Sequence, residues 1–282
     1  RDLRMSRGLG DVYKRQGMRS IWLVARKEFL DCLQSRWLLS GGLLFAILAL
    51  AVFYGTAAIG GSFAYPPLSV VMNSLVSLTV FLLPLLAILL SYDAFVGELE
   101  GGMLILMLTY PVTRTAFLLG KAVGQGAALF IVLTVGFAVM PIAASFAAVP
   151  YSVGELAGAL TVTAGSAWLL GLVFMFAAYC VSLAVRTKAQ ALAILILIWL
   201  AAVLLYDLGL LVAAVSFTGG LPRGVLNALM LANPASGFRL LNQSLFGSVQ
   251  TTVPIAALAG VLAAWAVALF ALARGIFAAK RF

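Results

Sequence analysis

Histidine is missing from all 282 residues, and cysteine occurs only twice, as Cys32 and Cys180. The first absence removes the commonest metal ligand and the commonest proton-transfer group near neutral pH. The second leaves no C-x-x-C pair and no disulfide framework. Charge is scarce as well: Asp, Glu, Lys and Arg make up 10% of the chain against 64% hydrophobic residues. Soluble domains carry roughly 25% charged residues, so a water-facing surface of ordinary extent is excluded. Also lacking is a phosphate-binding loop. Gly120-Lys121 is the single Gly-Lys pair, yet Thr115 stands where such a loop needs its first glycine and Ala122 where it needs Ser or Thr. Energy for any driven process must come from another chain.

What the chain has is long apolar runs, and runs of about 18 or more such residues read as membrane-spanning helices. Six are expected, at about 37–59, 68–92, 116–140, 156–185, 189–217 and 253–273. The class is an all-α membrane protein whose surroundings are lipid. Residues 1–17 carry five basic and two acidic residues without an apolar period, and are expected to be a non-native or disordered leader outside the transmembrane domain 18–282. Residues 18–36 form an amphipathic interfacial helix in this reading, with Trp22, Ala25, Phe29, Cys32 and Leu33 on one arc and Lys27, Glu28, Asp31, Gln34 and Ser35 opposite.

The basic residues fall on alternate connections. Eleven of them (Arg19, Arg26, Lys27, Arg36, Arg114, Lys121, Arg186, Lys188, Arg274, Lys280, Arg281) lie on one side and only Arg223 and Arg239 on the other. That asymmetry predicts both termini in the cytosol of a bacterial inner membrane, and it accounts for the net charge of +9 without nucleic acid as a partner. On the outer side, segment 218–252 is too polar to span and too apolar for a free loop. Leu226, Leu229 and Met230, then Phe238, Leu241 and Leu245, follow helical spacing, so two short outer helices divided at Asn233-Pro234 are expected.

One connection concentrates the scarce charges. Asp93, Glu98 and Glu100 precede Gly101-Gly102; the apolar stretch Met103–Tyr110 follows, then Pro111, Arg114 and Lys121. Carboxylate catalysis needs a dry, shaped site, and nothing here supplies one, so no catalytic residue is assigned. A short hydrophobic helix at the polar surface needs covering instead, by its own bundle or by a groove in a partner protein.

The stretch "ELEGGMLILMLTYPVTRTAFLLGK" resembles the signature of ABC-2 type permeases, through Glu98, Gly102, Leu104, Met107, Leu108, Pro111, Arg114, Gly120 and Lys121. Met103 departs from it, standing where threonine is usual. The resemblance implies a coupling helix at about 98–109 that docks on a cytosolic ATPase, with Glu98, Glu100, Gly101, Gly102, Met103, Leu104, Met107, Leu108, Pro111 and Arg114 as coupling residues. "FLLPLLAILLSYDAFVGELEGG" and "LANPASGFRLLNQSLFG" are similar to the branch of the family that helps mature periplasmic nitrous oxide reductase. That branch implies a homodimer and a NosF-type ATPase supplying ATP and Mg. It also implies a NosD-type periplasmic protein held near Asn233, Pro234, Arg239 and Asn242, and a NosL-type copper chaperone joining them. Work in copper–sulfur cluster assembly follows from the same likeness, with export of another small molecule as the alternative.

Other residues carry weaker signals. Met72, Met103, Met107, Met140, Met175 and Met230 are soft donors suited to Cu(I), but methionine is also ordinary core filler, and no metal site is assigned. Asp207 sits inside the fifth span, where a charge costs about 2.5–3.5 kcal/mol on insertion scales. It is expected to pair with Arg223 or Arg239 at the outer interface, or to line a pathway; an ion-coupled secondary transporter would require the latter. Small residues recur every fourth position at Gly120, Gly124 and Ala128 and at Gly154 and Gly158, a spacing that lets helices approach closely.

Overall fold

With no water in the bilayer core to serve the backbone, each apolar run must pair its amides and carbonyls within itself, and each becomes a helix. The computed structural model describes residues 2–59, 66–109, 112–147, 149–216, 222–247, 249, 251 and 253–280, with side chains described from Met18 onward except at 56–59, 105, 108, 109 and 223. Helix α1 spans Asp2–Gln34, α2 Arg36–Ile59, α3 Leu68–Ser91, and two short helices follow, α4 Val96–Glu100 and α5 Met103–Thr109. Then come α6 Arg114–Ala144, α7 Val153–Ala184, α8 Lys188–Leu200 and α9 Tyr206–Ser216, the last two joined by a π-helical turn at Ala201–Leu205. Helices α10 Arg223–Ala232, α11 Pro234–Leu245 and α12 Ile255–Ala279 complete the chain.

Among the described residues six stretches are long and apolar enough to cross a membrane: 36–55, 68–100, 114–144, 153–184, 188–216 and 255–279. Each begins within a turn of its expected start. The starts are chemically marked. Thr113 accepts from the Ala116 amide at 3.1 Å, and Thr187 from that of Gln190 at 3.3 Å. Ser152 and Glu155 exchange side-chain and backbone bonds in a capping box at the head of α7. Asn233 caps α11 with Pro234 at its first position, which is how the expected break between the outer helices is made.

Helices α3 and α7 are the most enclosed spans and form the axis of the bundle. Helix α7 packs on α3, α6 and α12, while α2 lies across α3 and α6. Leucine and valine side chains on the outer helices stay exposed, as a lipid-facing wall requires. The outer helix α11 is drawn in rather than left at the surface: Ala235, Phe238, Leu240 and Leu241 are buried against α12, α7 and α3.

Candidate functional site

The charged segment after α3 is fastened to the bundle at each of its turns. At its start, Ser182 Oγ on α7 accepts from the amides of Phe95 and Val96 at 3.1 and 3.0 Å. The Phe95 ring then stacks edge-on against Tyr179, with centroids 5.2 Å apart, and tilts onto Phe277 of α12. Asp93 lies 3.7 Å from the Lys188 ammonium, and Glu100 Oε1 accepts from the Lys188 amide at 3.1 Å. A carboxylate at the first amides of α8 complements the positive end of that helix dipole.

Gly102 turns the chain between α4 and α5 with φ of 70°, a left-handed conformation that a side chain makes costly. Helix α5 is therefore offset from α4 and shows two faces. Leu104 is 1% exposed and Met107 packs on the core, while Met103 and Leu106 are 48% and 54% exposed. The side chain of Leu108 and all of Pro111 lie outside the described residues. Beyond them Arg114 donates to the carbonyls of Phe277 and Lys280 at the end of α12, both at 2.7 Å. Lys280 in turn donates to the Leu183 carbonyl at 2.6 Å, closing the end of α7.

The centre of the site is Lys121. Rather than marking a connection, it sits in the second turn of α6 and is 2% exposed. Its ammonium lies 2.8 Å from Glu28 of α1 and 2.7 Å from Glu98 of α4, over the rings of Phe117 and Phe95. Gln125, one turn on, donates to Glu28 at 3.2 Å and accepts from the Tyr179 hydroxyl at 2.9 Å. The second oxygen of Glu98, Oε2, is buried without a hydrogen-bond partner among the described residues. Burial pushes the Glu28 carboxyl up, but the Lys121 ammonium, with Lys27 at 3.2 Å, outweighs it and holds it below the usual range. At the Cys32 thiol the same ammonium is outweighed, and burial together with the Glu28 charge pushes it up to about 12.

Glu28 corrects the expected arrangement of α1. The helical-angle reading put it on the water-facing arc, yet it is buried on one stripe with Ala25 and Cys32, while Trp22 is exposed. The stripe exists because α1 lies against α6 at two glycines. A Cβ on Gly120 would stand 2.6 Å from Val24 Cβ, and one on Gly124 would stand 2.4 Å from the Ala25 carbonyl. The 120/124 spacing is thus an internal seam, whereas Gly158 faces open space and a Cβ on Gly154 would meet only the Ser152 hydroxyl of its own cap, at 3.9 Å. Glu28, Gln125, Tyr179 and Ser182 were all absent from the sequence-derived site. A lysine within an apolar span needing a counterion was the available signal.

Around this cluster lies a cavity of about 440 Å³, lined by charges of both signs from α1, α4, α6 and α8. At the far end of the bundle Asp207 pairs with Arg239, one of its two expected partners, and accepts from Ser236 Oγ at 2.8 Å. Asn233 donates to the Ala202 carbonyl of the π-helical turn at 2.6 Å, and buried Asn242 donates to Ser166 at 3.1 Å. Met72, Met140 and Met175 are fully enclosed in the core. Among the described residues no three His, Cys, Asp or Glu gather as a metal site would require.

The sequence matches the family described as ABC-2 family transporter protein over residues 22–281. It is 40% identical over 267 residues to a protein of Pseudomonas aeruginosa named probable ABC transporter permease protein NosY, covering 91% of this chain and 97% of that one. A protein of Stutzerimonas stutzeri with the same name is 41% identical over 229 residues, covering 81% and 83%.

Proposed function

Because the chain belongs to the ABC-2 family of transporter proteins, being the permease subunit of an ABC transporter, we propose that a separate ATPase works it through the fastened segment 93–114. One observation carries this reading: α5 leaves the side chains of Met103 and Leu106 about half exposed at the polar end of the bundle, while the polar groups around it are bonded inward to α6, α7, α8 and α12 and meet α1 at Lys27. An exposed apolar ridge calls for a groove in a partner, and helix-in-groove docking with charges setting register is a standard solution. Fastenings to five helices turn a push on that ridge into movement of the whole bundle. The unpartnered oxygen of Glu98 favours this, since a partly satisfied buried network holds one arrangement less firmly than a complete one.

In this reading Met103, Leu104, Met107, Leu108 and Pro111 form or support the docked surface around Gly101 and Gly102, and Glu98, Glu100 and Arg114 transmit the motion. ATP and Mg are bound by the partner, a NosF-type ATPase in the cytosol, where both termini of this chain also lie. Two copies of the chain pair in the inner membrane. The outer segment 218–252 carries a NosD-type periplasmic protein, joined by a NosL-type copper chaperone, with the helix pair α10–α11 presented as one unit. Asn233 and Asn242 serve that contact by holding the pair in place, Pro234 by starting α11, and Arg239 by tying it to Asp207. The work done is copper–sulfur cluster assembly in nitrous oxide reductase.

The test separates docking from transmission. Leu106→Asp is expected to lower co-purification of the ATPase at least about tenfold with the chain still inserted. Glu100→Gln is expected to retain the ATPase but lose the coupling between its turnover and reductase maturation. Wild-type ATPase binding by Leu106→Asp removes the docking assignment.

A further inference from the structure

The charged cavity does not end among its charges. Trp37 and Leu89 line it, and the same two residues line an apolar groove of about 200 Å³ between α2 and α3, walled by Leu44, Phe45, Leu82 and Leu85. A mixed-charge chamber thus borders a greasy slot in the lipid-facing wall, with Trp37 and Leu89 common to both. We propose that chamber and slot together hold one zwitterionic phospholipid with a primary ammonium, of the phosphatidylethanolamine type, headgroup among the charges and one acyl chain in the slot. The inference rests on insertion of the bundle in a membrane and is independent of the ATPase reading.

Position argues for a lipid. The chamber sits where α1 turns into α2, and Trp37, 58% exposed, stands at that corner as aromatic residues do at headgroup level. The slot lies on spanning helices whose neighbouring Leu43 and Leu44 face outward, so hydrocarbon is the medium that reaches it. Its floor is set by close approach: a Cβ on Gly41 would stand 2.4 Å from Leu86 Cδ1.

Charge selects the headgroup. Glu28, Lys121 and Glu98 are enclosed at the back of the chamber, where the one ammonium is shared by the two carboxylates and Lys27 adds a second cation. The half-exposed groups are Lys27 and Lys188, and Asp31 and Asp93. A phosphate accepts from the ammonium groups, and a primary ammonium donates to the carboxylates, so one headgroup meets both signs. A quaternary ammonium has no N–H to give. An anionic headgroup would compete with Asp31 and Asp93 for Lys27 and Lys188, offer those carboxylates no donor and add a like charge beside them.

The full chain, inserted in nanodiscs of equal phosphatidylethanolamine, phosphatidylcholine and phosphatidylglycerol and released into mild detergent, is weighed by native mass spectrometry. Retention of one phosphatidylethanolamine at least about tenfold over either other lipid is expected. Asp31→Asn with Asp93→Asn is expected to erase that preference, and Leu85→Trp to empty the slot of every lipid. Leu44→Trp on the rim serves the same purpose if Leu85→Trp does not insert. Equal retention of the three lipids overturns the proposal, as does a preference that survives both the charge and the slot variants.

Discussion

At the charged end Lys121 is enclosed between Glu28 and Glu98, whereas at the far end Asp207 meets Arg239 with 26% and 20% of their side chains exposed. Both are ion pairs inside a hydrophobic bundle, but they are built for different loads. The Lys121 cluster joins three helices and continues through Gln125 to Tyr179, so no member can leave without stranding another. The Asp207 pair ties α9 to α11, with Ser236 as a second donor and part of each side chain at the surface. Desolvation decides the difference: an enclosed charge that loses its partner cannot be rescued by solvent, and a half-open one can.

Removing the central cation should therefore show the largest effect. Lys121→Met leaves Glu98 with only a 4.0 Å contact to Lys27 and Glu28 with Lys27 and Gln125, and is expected to cost about 3–5 kcal/mol, the range for breaking a buried pair. Adding Glu28→Gln and Glu98→Gln is expected to restore most of it, which separates stranded charge from lost packing. Thermal unfolding of the purified chain reads both. At the far end Asp207→Asn is expected to cost about 2 kcal/mol, as a hydrogen bond to a charged group does. It should be strongly non-additive with Arg239→Gln, since the two share one interaction. Equal losses at the two ends would erase the contrast.

The same contrast marks how far the sequence could be read. The number of spans and the break at Asn233-Pro234 were legible because apolar length and turn chemistry are local properties. The Asp207 pair was half legible: a lone acid in a span demands a partner, and few cations lay on that side of the chain. Glu28 was not, because the helical angles of α1 report only which side is polar. They do not report that a lysine on another helix makes the polar side the buried one. Gly120 and Gly124 held the missing clue, since a close seam beside a lysine leaves room for little except that lysine's counterion. The amphipathic split of α5, with Leu104 in and Met103 out, was hidden by a stretch apolar on every side. The fastening by Ser182 was invisible for a different reason, since a serine in an apolar span most often bonds its own helix.

The smallest expected effect asks whether the charged end is coupled to pH. Glu28 titrates below the usual carboxylate range in the folded chain, so the unfolded chain takes up its proton first as acid is added. Its contribution is complete above the unfolded value of about 4.3 and is lost as pH falls through the folded one. Protonation removes the α1 carboxylate that Lys121 faces and leaves this part of α1 held by its glycine seam, its buried Ala25 and Cys32 and the 4.0 Å contact from Lys27 to Glu98. Amide hydrogen exchange in α1, corrected for the intrinsic rate, should accordingly rise as pH drops below about 4. In Glu28→Gln, which keeps the shape without the proton, α1 should exchange faster at neutral pH and show little further change on acidification. A wild-type α1 that stays protected to pH 3 would mean that the seam, and not the Lys121 cluster, is what holds this end of the bundle.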